Sequence, residues 1–147
     1  MKKIKIVLYL FFLTVVLISC SEDVASFDVN NGPSMAAFDK PGADFKVYAT
    51  ESIDSVRVNV TTLSNTDRSF VIAIDPTSTA LPAMYTIEDA PMVVKAGEFY
   101  GYFRIFGNYD AFTDTKKYKL RLNLSSLQGA KVTYDGNKNH DVILKRN

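Results

Sequence analysis

The sequence predicts an all-β fold, a two-sheet antiparallel sandwich of seven or eight strands, preceded by a cleaved signal peptide and a short tether. Three observations carry that expectation. Apolar residues recur with a period of two, the pattern of half-buried strands. Turn-forming clusters interrupt them at short, fairly even intervals. No segment shows the 3.6-residue stripe of an amphipathic helix.

The first element is a leader. Lys2, Lys3 and Lys5 form a basic head, and Ile6 to Ile18 form an apolar stretch of 13 residues broken only by Thr14. That is shorter than the roughly 17–25 residues that span a bilayer and suits a signal-peptide core. Leu17-Ile18-Ser19-Cys20 closes the run with a small residue directly before the only cysteine of the chain. The sequence then divides into a signal peptide (1–19), Cys20 with a polar tether (20–34), and one β-domain (35–147). Gly32-Pro33 breaks the tether just before the domain.

From Met35 onward the strands follow in order. Strands are expected near Phe45–Tyr48, over Val56-Val58-Val60 and over Phe70-Ile72-Ile74, then near Tyr85–Glu88, Met92–Val94 and Glu98–Phe106. Tyr118, Leu120, Leu122 and Leu124 alternate with Lys117, Lys119, Arg121 and Asn123, so the leucines are expected to face inward. A last strand is expected at His140–Leu144. Ser64–Asp67, Asp75-Pro76, Ala96-Gly97, Asn108–Asp110 and Asp135–Asn137 supply the turns.

Composition narrows the chemistry. Three of the 17 basic residues lie in the leader, so the remainder carries 14 basic and 16 acidic groups, a net charge near −2. Such a balance does not suit nucleic acid, which wants a clustered basic face. Cys20 apart, the chain has no thiol for disulfides, thiolate metal sites or cysteine catalysis. His140 is the only histidine and is read as a solvated loop residue, with Asp141 on the opposite face of the strand. No phosphate-binding loop, nucleophile elbow or zinc-protease motif occurs. Glu88-Asp89 and Glu98 flank turns, where carboxylates are ordinarily solvated. The chain is therefore expected not to be an enzyme and to need no cofactor.

The strongest functional candidate is the run Phe99–Phe106. Alternation places Phe99, Phe103 and Ile105 on the core side and Tyr100, Tyr102, Arg104 and Phe106 on the other. Tyr100, Tyr102 and Arg104 are candidate contacts for a partner protein or a sugar ring, because each offers apolar area with a polar tip. The alternative, which the sequence favours, is that neighbouring strands cover this face or that the tyrosines stiffen the sheet through cross-strand pairs. The lack of tryptophan argues mildly against a strong glycan platform.

Two resemblances extend this reading. The Ser19-Cys20 junction resembles the lipobox of bacterial lipoproteins, which implies acylation of the Cys20 thiol and a membrane-anchored chain. Val56–Val60, Thr66–Asp75, Val93-Val94-Lys95-Ala96-Gly97-Glu98 and Lys117–Leu124 together resemble, in order, a Calx-beta-type domain, an immunoglobulin-like sandwich. Calcium-binding members of that family carry an aspartate before the tyrosine of one segment and an acidic cluster near the end. Here Met84 precedes Tyr85 and the chain ends Leu144-Lys145-Arg146-Asn147, so no calcium cage of six to eight oxygens is expected. Asp110 and Asp114 are read as solvated loop acids. Leader and domain together, with Glu22-Asp23 as a short acidic export tag, resemble surface lipoproteins of unknown function in Bacteroidetes-type bacteria. Similar proteins there often accompany glycan uptake.

The resemblance implies a lipid-anchored, non-enzymatic interaction module of the cell envelope, at the outer membrane and surface-exposed. Its partners would be envelope proteins. The alternative is an accessory glycan-binding lipoprotein of a polysaccharide-uptake system, which would require the Tyr100–Tyr102 face to be exposed and flat. A hydrolase would require two carboxylates converging in a cleft.

Overall fold

The alternating valines Val56, Val58 and Val60 and the leucines Leu120, Leu122 and Leu124 are all buried, and they form the central staves of two facing sheets. The computed structural model describes residues 28–88, 90–132 and 137–147. The leader, Cys20, Glu22-Asp23, Asp89 and Asp135-Gly136 lie outside the described residues.

Among the described residues ten strands follow in chain order: β1 (Met35–Phe38), β2 (Gly42–Val47), β3 (Ile53–Val60), β4 (Arg68–Ile74), β5 (Tyr85–Ile87), β6 (Val93–Val94), β7 (Tyr100–Gly107), β8 (Lys117–Leu127), β9 (Lys131–Val132) and β10 (Asn139–Arg146). One sheet has the order β5-β7-β3-β1-β9, the other β2-β10-β8-β4-β6. The fold is the expected all-β sandwich. The two strands beyond the expected eight are β1 and β9, too short to show a period.

Two pairings are parallel, β1 with β9 and β2 with β10. The sheets are thus mixed where alternation alone suggested antiparallel ones. The parallel pairs arise because the chain crosses between sheets at Asp39–Pro41 and lays its early strand β2 beside its last one. Parallel neighbours need a long connection, and here nearly the whole domain supplies it.

Phe38, Phe103, Phe112, Ile105, Leu120, Leu122, Leu124 and Leu144 are fully buried between the sheets. Burial of side chains of this size contributes roughly 1.5–3 kcal/mol each. Ile74, expected inward, is instead exposed at the end of β4. A register shift between Val71 and Ile72 against β8 re-aims that strand. Arg68 is buried at the start of β4, where its guanidinium donates to the Thr62 carbonyl oxygen at 2.6 Å.

The turn Lys95–Glu98 closes with the Glu98 N–H donating to the Lys95 carbonyl at 3.0 Å. Gly97 there has φ +77°, a conformation that excludes most side chains. Asp67 braces the turn by accepting from the Ala96 N–H and from Lys95. It delivers the chain directly into β7.

Candidate functional site

Strand β7 alternates strictly: Gly101, Phe103 and Ile105 are buried, while Tyr100, Tyr102 and Arg104 are exposed. Small Gly101 lets β6 close against the inner side. A Cβ at that position would stand 2.5 Å from the Val93 carbonyl oxygen. On the outer side Tyr100 is 41% and Tyr102 51% exposed. Among the described residues no strand covers them, which corrects the expectation that neighbouring strands would. The reason is topological: β7 lies in one outer layer of a two-layer sandwich, so only its inner face meets another sheet. The other expectation, cross-strand pairing of the tyrosines, agrees with their placement opposite Asn59 and Arg57. Phe99, expected in the core, is 39% exposed because it precedes the regular part of β7.

The pairing of β7 with β3 sets Arg57 opposite Tyr102, Asn59 opposite Tyr100 and Ser55 opposite Arg104. The Arg57 guanidinium forms an ion pair with Asp39 and lies 5.5 Å from the Tyr100 ring centroid, within cation–π reach. Asn59 donates to the same Asp39 carboxylate at 3.0 Å. The Arg57 hydrogen bond, then that of Asn59, holds the Asp39 carboxyl below the usual carboxylate range. Asp39 in turn, and next Tyr102, raise the Arg57 pKa.

Tyr100 and Tyr102 contact each other edge-on, with centroids 5.4 Å apart and planes at 66°. Arg104 is held by Glu88, which accepts from Nε at 3.0 Å and from Nη2 at 2.6 Å. That contact lowers the Glu88 pKa. Glu88 is therefore not an unattached turn carboxylate but the brace of Arg104. The site is a strip of two aromatic rings, with the Arg57 guanidinium beside them on β3 and Arg104 next along β7, each arginine held by a carboxylate.

The three residues expected from the sequence thus share one exposed face. Sequence reasoning did not find Arg57, Asp39 or Asn59 as its companions. Their only local signal is the polar half of the β3 alternation, and β3 and β7 are separated by three intervening strands in the chain.

His140 departs most from expectation. It is 1% exposed, inside β10, with Nδ1 2.8 Å from the Lys40 carbonyl oxygen and its ring 5.4 Å from that of Phe38. A carbonyl only accepts, so Nδ1 is the donor in this contact. Asp141 points the other way and accepts a bidentate pair of hydrogen bonds from Arg121, both at 2.7 Å. Asp114 accepts from the Tyr118 hydroxyl and the Lys116 N–H, and Asp110 stands exposed in a short 3-10 turn. Met84 is buried. Among the described residues no group of three His, Cys, Asp or Glu is placed to hold a metal ion.

No family model and no curated protein matches the chain. Solved structures do. The apo Calx CBD1 domain aligns over 78% of this chain and 97% of its own length, with a TM-score of 0.59 and 14% identity. The fold is Calx-beta-like. Two Bacteroides proteins share this sandwich. A two-domain protein of unknown function from Bacteroides fragilis aligns over 78% of this chain at TM-score 0.58 and 13% identity. A candidate carbohydrate-binding protein from Bacteroides ovatus aligns over 76% at 0.57 and 12%. The Calx-beta-like chain spans 46% of the first and 36% of the second. At these identities the likeness concerns the fold alone.

Proposed function

We propose that this chain is a lipid-anchored, non-enzymatic interaction module of the cell envelope that docks a partner protein through the outer face of β7 and β3. One observation carries the reading: Tyr100 and Tyr102 stand exposed on one face with Arg57 and Arg104, and each arginine is already paired with a carboxylate. Tyrosine and arginine dominate interface energetics, and a side chain fixed in advance loses less entropy on docking. Lipidation of Cys20 at the outer membrane would present this face at the cell surface.

Glycan binding is the second reading. The exposure of the tyrosines and the candidate carbohydrate-binding protein from Bacteroides ovatus favour it. The 66° angle between the two rings speaks for a protein partner instead, since a flat sugar platform wants rings in one plane.

The test is a Tyr100→Ala/Tyr102→Ala variant, first shown to melt as wild type does. Its recovery of partners from envelope fractions and its signal on glycan arrays are then compared with wild type. Loss of a true anchor costs over about 2 kcal/mol, roughly thirtyfold in affinity. Undiminished binding by the folded variant removes this face from consideration. A Cys20→Ala variant is expected to leave the membrane fraction or remain unprocessed, and wild-type fractionation would refute the anchor.

A further inference from the structure

Among the described residues the two sheets end in four edge strands, and three of these are short. β5 has three residues, and β6 and β9 have two each. The fourth, β2, runs for six. Its inner side is taken by β10: the Asp141 N–H donates to the Pro41 carbonyl, and the Asn147 N–H to the Val47 carbonyl. In a parallel ladder that phase gives the backbone groups of Ala43, Phe45 and Val47 to β10 and turns those of Gly42, Asp44 and Lys46 outward. Among the described residues no strand pairs with the outward groups. No hydrogen bond or ion pair engages the side chains of Asp44 and Lys46 either. An open edge of this length is a template for a further strand.

Edges are commonly guarded by a proline, a bulge or a charge aimed at the core side. β2 contains no proline, and its register with β10 is unbroken. Phe45 and Val47 point inward and are buried, so the charges of Asp44 and Lys46 stand on the outer face, clear of the core. Beside the edge lies an open recess of about 430 Å³ between β2 and residues 51–54, and no residue of β10 lines it. Tyr48 and Ile53 are exposed on its rim. The remaining guard is the charge of Asp44 and Lys46, and what it repels depends on which strand arrives and in which register.

We propose that β2 is the contact through which two copies of this chain pair, antiparallel about a two-fold axis at Phe45. That axis sets Asp44 of each copy opposite Lys46 of the other. Both residues turn their backbone groups outward, so each of the two pairs exchanges two backbone hydrogen bonds and places a carboxylate beside an ammonium on the same face. The adjacent two-fold registers fail on charge: an axis at Asp44 sets Asp44 against itself, and one at Lys46 sets Lys46 against itself. β2 is thus its own complement in a single register, as an interface of identical patches requires. The pairing also completes a row that is unbalanced in one copy. Lys117 stands opposite Lys145, and Lys145 opposite Lys46, all three exposed. Asp44 of the second copy is the next member of that row and brings it a negative charge. Gly42 falls opposite Tyr48 of the other copy, where its missing side chain leaves room. The contact shares no residue with the tyrosine strip, so the two proposals stand or fall separately.

Sedimentation equilibrium of the full-length protein, reduced and in a density-matched neutral detergent, reads the mass over a dilution series. Wild type should pass from monomer to dimer and no further, because each copy spends its one long edge on the contact. Asp44→Lys and Lys46→Asp each set like charges opposite one another twice, and each should weaken self-association about tenfold or more. Mixed together, these two variants should form the mixed dimer at wild-type strength. The exchange variant Asp44→Lys/Lys46→Asp, whose net charge is unchanged, should self-associate as wild type does. Tyr100→Ala/Tyr102→Ala should leave the dimer intact. Recovery in the mixture and in the exchange variant separates lost pairing from lost folding, since a misfolded chain would be rescued by neither. A monomer at every concentration, single variants that pair as wild type does, no recovery in the mixture or the exchange variant, or dissociation by the tyrosine variant would each overturn the proposal.

Discussion

Gly101 lies between the two exposed tyrosines, and its missing side chain is what lets the sheets close beneath them. A Cβ there meets the Val93 carbonyl oxygen at 2.5 Å and Phe70 Cε1 at 3.0 Å. The first neighbour is backbone and cannot rotate away. Gly101→Ala is therefore expected to cost about 1–3 kcal/mol, the usual range for overpacking, read as a lowered denaturation midpoint. An unchanged midpoint would show that β6 can withdraw freely. The same scale shows where sequence reading ends. Tyr100, Tyr102 and Arg104 could be placed on one face because alternation is local. His140 could not be placed inside, because its carbonyl partner Lys40 lies 100 residues earlier. Arg57 escaped notice for the same reason: its link to Tyr102 exists only through the β3–β7 pairing.

At the scale of the element, β8 is the clearest case of pattern becoming structure. Leu120, Leu122 and Leu124 are fully buried, while Lys117 is exposed and Lys119, Arg121 and Asn123 lie half-buried on the outer side. Leu122→Ala should cost on the order of 2–5 kcal/mol through lost burial and a residual cavity. Arg121→Ala should cost about 1 or less, since its pair with Asp141 is roughly one-third exposed and screened by water. Chemical denaturation of both variants decides it. Equal losses would mean that the outer ion pair contributes as much as the core. Of the four described strands of four residues or fewer, Tyr85–Ile87 and Val93–Val94 were legible and two were not. Met35–Phe38 shows two alanines and no contrast, and Lys131–Val132 is a single pairing step. Neither carries enough residues for a period to appear.

The whole molecule gathers several carboxylates whose pKa values lie below the ordinary range. Asp39 owes this first to Arg57, Glu88 to Arg104, and Asp141 to Arg121. A depressed folded-state pKa adds stability above the unfolded value, about 4, and loses it as pH falls through the folded one. The melting temperature should thus hold steady near neutrality and drop below about pH 4. Asp141→Asn should flatten part of that drop; a wild-type profile that is level through the acid range would contradict it. The sandwich as a class was legible because period and turn spacing are properties of short segments. Its mixed pairing was not, since β2 meets β10 across nearly the full domain.

That last pairing governs when the fold can exist. Among the described residues Gly42–Val47 finds its strand neighbour only in Asp141–Arg146, about a hundred positions on. Contacts so distant in sequence slow folding, because loop closure precedes any reward. Until β10 is present, β2 stands as a strand without a ladder, so the second sheet closes last at that edge.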